Sequence, residues 1–250
     1  MRVSSALVVL ALTAACSNTP KEVIAPGATV GPPDPATVAS VTGQVTLNGT
    51  APVMQVYRLD GDPKCVQLAA GEERRTENVL VGPGNTLQNA FVYVKSGLPP
   101  GFYPVPSQPV VLDQQKCRYT PHVIGVQVGQ SLTIRNSDPL LHNVRSDGTV
   151  NQPFDVATPL QGIEVKRTFS TREVMVPFKC NVHAWMTAYV GVLEHPFFAV
   201  TDAAGRFSIA NLPPGSYTLE VWHETFGTQT QQVTVAAKES KDLAFTYKAP

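Results

Sequence analysis

Short runs of alternating or β-branched residues, separated by turns, follow one another along most of this 250-residue chain. No segment repeats apolar residues at helical spacing, and the scattered 22 prolines and 18 glycines suit many turns between short strands. The β-type runs are 41–47, 90–94, 123–128, 131–135, 173–176, 188–192, 206–209, 216–221, 231–235 and 243–247. We therefore predict an all-β protein, long enough for two β-sandwiches that each bury a core.

The charge balance excludes one class of function. Lysine plus arginine and aspartate plus glutamate are equal at 19 each, and charged residues make up 15% of the chain. A nucleic-acid-binding protein needs a basic field to attract phosphates, and this chain has none. We therefore expect no nucleic-acid partner.

The first residues have the pattern of an export signal. Arg2 is followed by an apolar stretch over 3–14 that is too short to span a bilayer, and small residues precede Cys16. This resembles a bacterial lipoprotein signal, although Thr13 stands where that family prefers leucine. The resemblance implies a signal peptide over 1–15, a lipidated Cys16 and a proline-rich tether over 16–39. The alternative is ordinary secretion with cleavage after Ala14 or Ala15.

Either alternative places the protein outside the cytoplasm, on the periplasmic side of the bacterial envelope. With a lipid on Cys16 the membrane is a partner; without it the protein is soluble in the periplasm or secreted.

Three metal-binding donors stand within seven residues between two β-type runs. Cys180 is followed by His183 at the third position and by Met186 at the sixth, so a tight loop between strands can bring all three donors to one point. Thiolate, imidazole and a weak thioether suit copper, whereas zinc prefers more cysteine or histidine. A second imidazole would complete the donor set of an electron-transfer copper site. His142, which follows a strand and a polar turn, is the best candidate.

The segment 119–144 and the loop after it resemble the cupredoxin family, and the loop spacing is similar to that of amicyanin. The resemblance implies a Greek-key β-sandwich with one type 1 copper ion held by His142, Cys180, His183 and Met186. It also implies that Asn143 forms hydrogen bonds that stiffen the loop of Cys180. One departure is the alanine at 184, where amicyanin-like loops often have proline.

In that family electrons pass through the exposed edge of the loop histidine, which is His183 here. The apolar residues expected around this edge, where a redox protein would bind, are Leu140, Leu141, Ala184 and Trp185.

Two cysteines remain after these assignments. In an oxidising compartment Cys65 and Cys117 most simply form a disulfide. The rival hypothesis is a second metal site that uses Cys117 and His122.

The C-terminal part of the chain resembles a carboxypeptidase-regulatory-like (transthyretin-like) β-sandwich. An Asp-x-x-Gly turn begins at Asp202 and a Pro-Pro-Gly turn at Pro213, while strand patterns of the same family stand at 41–45 and 90–94. We therefore expect this sandwich to comprise 40–105 plus 196–250, with the cupredoxin domain over 106–195 inserted in it. The alternative is that the units are adjacent, in line along the chain.

Three hypotheses for function follow. The first is a tethered one-electron carrier that exchanges electrons with redox proteins as a monomer. The second is a protein that holds copper and delivers it, and the third is a metal-free binding module. We do not expect an enzyme, because five histidines are too few for a multicopper oxidase and no Ser/His/Asp or paired-carboxylate arrangement is evident.

Overall fold

A computed structural model describes residues 28–59 and 61–249. The predicted signal peptide and Cys16 lie outside the described residues, as does the first half of the predicted tether. Within the described residues the chain is all-β apart from one short helix, α1 at Pro63–Ala69. The strands are β1 Ala39–Asn48, β2 Val81–Gly82, β3 Thr86–Leu87, β4 Phe91–Ser96, β5 Val110–Gln115, β6 Arg118–Thr120, β7 Val123–Gln127, β8 Leu132–Asn136, β9 His142–Ser146, β10 Asp155–Thr158, β11 Glu164–Arg167, β12 Glu173–Lys179, β13 Thr187–Leu193, β14 Phe198–Val200, β15 Arg206–Leu212, β16 Gly215–His223, β17 Gly227–Val235 and β18 Ser240–Lys248.

The first sandwich combines strands from both ends of the chain. β1 pairs in parallel with β18 and antiparallel with β15, and the short β2 and β3 extend this sheet. The facing sheet has the order β14-β4-β16-β17. Alternate residues of β1, from Val41 to Leu47, are buried against the facing sheet, as period-two alternation predicts.

The second sandwich is built only from strands between residues 110 and 193. One sheet has the order β10-β9-β12-β13-β7 and the other the order β11-β8-β5-β6. The apolar cluster between them includes Leu112 and Ile134 from one sheet and Phe178 and Val190 from the other. Each such fully buried side chain contributes about 1.5–3 kcal/mol. This strand pairing is the one that the insertion hypothesis requires; the domain bounds themselves stay a prediction.

Two glycines allow the sandwiches to touch. Gly125 of β7 and Gly191 of β13 are paired neighbours, and together they leave a flat patch on the outer face of their sheet. Phe91 and Phe198 of the first sandwich lie on this patch: a Cβ atom on Gly191 would come within 2.5 Å of Phe91, and one on Gly125 within 2.2 Å of Phe198. The absence of side chains at Gly125 and Gly191 therefore makes room for Phe91 and Phe198 in the contact between the two sandwiches.

Helix α1 is the main departure from the predicted architecture. Its seven residues are too few to show a helical period, although Asp62 and Pro63 are a typical N-cap and first residue. Cys65 and Ala69 are buried in the core cluster of the second sandwich. The segment thus lies against the second sandwich, whereas the predicted division groups it with the first.

Among the described residues, no helix is both long and apolar enough to pass through a bilayer.

Candidate metal centre

The loop between β12 and β13 presents the three donors of the Cys-x-x-His-x-x-Met motif. Cys180 directly follows β12, and Met186 directly precedes β13. Two backbone hydrogen bonds close the loop: the Cys180 amide donates to the Met186 carbonyl over 3.2 Å, and the Met186 amide donates to the His183 carbonyl over 2.9 Å. The strand–loop–strand arrangement predicted from the sequence is therefore present.

His142 comes to this loop from the neighbouring strand. It is the first residue of β9, and β9 pairs with β12 near Cys180. The Nδ1 atoms of His142 and His183 are 3.0 Å apart, and the Cys180 sulfur lies 3.9 Å from Nδ1 of His183. The three ligand atoms lie within 4.8 Å of one another, and all three residues are buried.

A carboxylate holds the outer nitrogen of each imidazole. Nε2 of His142 lies 2.9 Å from Asp138 Oδ2, and Nε2 of His183 lies 3.2 Å from Asp62 Oδ2. A carboxylate accepts a hydrogen bond, so each histidine carries its proton on Nε2 and donates it outward. Such outer partners commonly fix the tautomer of metal-binding histidines.

The resulting charge pattern suits a cation between the rings. The Nδ1 atoms of the two rings face each other across 3.0 Å, which is repulsive unless a proton or a cation lies between them. In the metal-free site a proton on Nδ1 of His142 meets this need: burial lowers the pKa of His142, but hydrogen bonds to Asp138 and Cys180 outweigh burial and raise that pKa. Burial raises the pKa of the Cys180 thiol, but hydrogen bonds, the one from His142 first, outweigh burial and bring the pKa down to about 5. Once that proton is displaced, a thiolate beside two imidazole lone pairs is the soft, electron-rich donor set that fits copper.

The other predicted residues lie close to this point. Met186 is fully buried and belongs to the same apolar cluster as Cys180. The side-chain oxygen of Asn143 accepts a hydrogen bond from the Asn181 amide, directly after Cys180. Its side-chain nitrogen donates to Asp155, so Asn143 ties the loop to β10.

The edge of His183 is not exposed, contrary to the expectation from the family. Only 2% of His183 is accessible, because Asp62 and the first turn of α1 cover its Nε2 atom. Of the four residues expected around this edge, Leu141 and Ala184 are exposed, Trp185 is half-buried and Leu140 is buried.

The disulfide between Cys65 and Cys117 is present, as predicted. It joins the first turn of α1 to the turn between β5 and β6, and the Cys65 sulfur lies 3.7 Å from Nε2 of His183. The rival site is not formed: His122 is bonded through Nε2 to Glu224 and through Nδ1 to the Thr187 carbonyl.

The two carboxylates were not identified from the sequence. Asp138 lies four residues before His142, within the segment 119–144 that resembles the cupredoxin family, so its position was a usable signal. Asp62 lies 121 residues from His183, and its only local signal is that of a helix N-cap.

Comparison with known proteins gives a match in the C-terminal part. The family model "Carboxypeptidase regulatory-like domain" matches residues 188–248, which begin within β13 and extend to the end of β18. The predicted resemblance of this part to that family is confirmed. No curated protein matches the chain.

The solved structures that are similar to this chain include cupredoxins. A reduced mutant of amicyanin is 22% identical, with 42% of this chain and 98% of amicyanin covered, at a TM-score of 0.32. A purple cupredoxin from Nitrosopumilus maritimus is 21% identical, with 34% and 99% covered, at 0.29. A Cu-containing nitrite reductase from Thermus scotoductus SA-01 is 20% identical at 0.31; 39% of this chain covers only 25% of that enzyme.

Proposed function

We propose that this protein binds one copper ion of type 1 and carries single electrons between redox proteins. The supporting observation is the convergence of one low-pKa thiol and two imidazole nitrogens within 4.8 Å of one another in a buried site. His142, Cys180 and His183 would hold the ion, with Met186 as the weak fourth ligand. Copper bound there would supply a one-electron couple.

The surrounding residues hold the proposed copper ligands in fixed positions. Asp138 and Asp62 hold the imidazoles in one tautomer, and Asn143 holds the loop that carries Cys180. The ligands are at most 3% exposed, so water is excluded and the donors have little room to rearrange. A site that changes shape little between two oxidation states suits electron transfer.

Burial also supports a carrier over a protein that delivers copper. A delivery protein must present its metal to an acceptor, for which exposed methionine or histidine clusters serve best. Here His142 is 0% exposed and His183 2% exposed, and α1 lies over the latter. We therefore place delivery second.

We further propose that the protein acts outside the cytoplasm, tethered through a lipid on Cys16. The disulfide between Cys65 and Cys117 supports export, because disulfides persist in oxidising compartments. Incorporation of labelled fatty acid into the full chain, but not into Cys16→Ala, is the expected result. Release of the wild-type protein and of Cys16→Ala alike into the soluble periplasmic fraction would instead support ordinary secretion.

The test of copper binding is spectroscopic and uses the full chain. After addition of Cu(II) we expect an intense visible band from thiolate-to-copper charge transfer and a narrow copper hyperfine splitting. Both should disappear in Cys180→Ser, because Cys180 is the only free cysteine among the described residues.

Two buried methionines provide a matched control. Met186→Leu should shift the visible band and the reduction potential, whereas Met175→Leu, in the contact between the two sandwiches, should leave both unchanged. A colourless wild-type protein, or equal copper binding by Cys180→Ser, would contradict the proposal and favour a metal-free binding module.

A further inference from the structure

Helix α1 begins directly over the outer edge of His183. The two oxygens of Asp62 act on different partners: Oδ1 accepts from the amides of Lys64 and Cys65 and so caps the helix, while Oδ2 lies 3.2 Å from Nε2 of His183. Asp62 is 27% exposed, whereas the imidazole it contacts is 2% exposed. One carboxylate thus caps the N-terminus of α1 and holds the buried imidazole of His183.

The disulfide fixes this helix to the other side of the site. Cys65 is in the first turn of α1, and its partner Cys117 donates its amide hydrogen to Asp138 over 2.7 Å. Asp138 in turn accepts from His142. A closed series of contacts therefore surrounds the two imidazoles, and the disulfide is its covalent member.

A second contact holds α1 in the same place. The Lys64 ammonium group donates to the Pro139 carbonyl over 3.0 Å, next to Asp138. The position of Asp62 is therefore determined by its own helix, by a disulfide and by this bond, rather than by His183 alone.

We propose that Asp62 is a positioning residue for His183: it holds the proton on Nε2 and keeps Nδ1 free and directed at Cys180 and His142. The role in metal binding rests on the proposed function, but the tautomer of His183 can be measured without any metal.

The alternative tautomer of His183 would place a proton where the metal would bind. If the proton moved to Nδ1 of His183, it would lie between two nitrogens 3.0 Å apart and form an N–H···N bond with His142. A metal ion would then have to displace that proton before it could bind. Removal of a carboxylate that orients a metal-binding histidine typically lowers metal affinity 10–100-fold.

Three substitutions separate positioning from helix capping. Asp62→Ser keeps a good N-cap but is too short to reach His183, and Asp62→Asn keeps the cap through its single oxygen but then presents its NH₂ group, a donor, to Nε2 of His183. Asp62→Ala removes both functions. Long-range ¹⁵N–¹H correlation spectra of the metal-free full chain would report the His183 tautomer, and competition with a chelator of known strength would report Cu(II) affinity.

We expect Nε2–H in wild type and a shift toward Nδ1–H in both Asp62→Ser and Asp62→Asn, with about 10–100-fold weaker Cu(II) binding in each. An Nε2–H tautomer retained in Asp62→Ser or in Asp62→Asn would overturn the proposal. Wild-type Cu(II) affinity in these two variants, with a loss only in Asp62→Ala, would also overturn it, because the helix cap alone would then explain the effect. If wild type binds no Cu(II), the proposed function fails, and the tautomer spectra alone decide the role of Asp62.

Discussion

Replacement of Gly191 by alanine tests whether the two sandwiches are in contact as described. In an open strand this change should stabilise the protein by about 0.5–1 kcal/mol, because glycine loses more conformational entropy on folding than alanine does. Here the new Cβ would lie 2.5 Å from Cζ of Phe91 and 2.8 Å from Cε1. The ordinary distance between contacting carbons is about 3.5–4.0 Å, so the Phe91 ring must move by about 1 Å.

Phe91 has little space for that movement. It is 0% exposed, and its ring packs against Phe198 at a centroid distance of 5.6 Å. Overpacking a filled core costs about 1–3 kcal/mol, which exceeds the gain in entropy. We therefore expect Gly191→Ala to destabilise the protein by about 1–2 kcal/mol. The sign of the change distinguishes a filled contact from an open one.

Urea denaturation followed by fluorescence and circular dichroism would measure the free energy of unfolding. Gly31→Ala is a suitable control, because no atom lies within 4 Å of its added Cβ. In the double variant Gly191→Ala with Phe91→Leu, the smaller side chain should relieve the clash and give a favourable coupling of about 0.5–3 kcal/mol. A stabilised Gly191→Ala, or additive effects in the double variant, would refute this packing.

Two further predictions concern other buried groups. Burial lowers the pKa of His122, but its hydrogen bond to Glu224 outweighs burial and holds the pKa above 6.5. This pair therefore stabilises the fold fully below about pH 6.5, and its contribution falls as the pH rises through the folded-state pKa. The free energy of unfolding, measured from pH 6 to 9, should fall with pH in the wild type, and Glu224→Gln should lose this part of the pH dependence. The ring of Trp185 lies 5.0 Å from that of His183, so bound Cu(II) should quench the fluorescence of Trp185. Trp222→Phe should keep most of this quenching, whereas Trp185→Phe should lose it. Equal quenching in the two variants would contradict the proposed position of the metal.

The strands that could be predicted are those with strong alternation or a continuous apolar run. The ten predicted runs coincide with strands, as β1 and β13 illustrate. Among the strands outside these runs, β10 and β11 are four-residue edge strands in which every second residue is exposed and no continuous apolar run occurs. Their partners β9 and β8 decide their conformation, and a local pattern does not record a partner that is distant in the chain.

Three of the candidate ligands could be predicted from the sequence because they lie in one short loop. Cys180, His183 and Met186 are close in the chain, and a single tight loop brings them together whatever the rest of the fold does. His142 needed a further step, since its position after a strand and a polar turn only suggests a loop at the same end of a sandwich. The disulfide followed from the two cysteines left over and the expected compartment.

The burial of His183 could not be predicted because the covering segment lies outside the part of the chain that resembles a cupredoxin. That resemblance extends over residues 119–144 and the loop after them, so it describes the ligands and the strands that carry them. It contains no information about Asp62, which comes from a helix before the second sandwich begins and is held there by the disulfide. If the site carries electrons as proposed, a redox partner must approach it with α1 in place or displace α1, which the Cys65–Cys117 disulfide opposes.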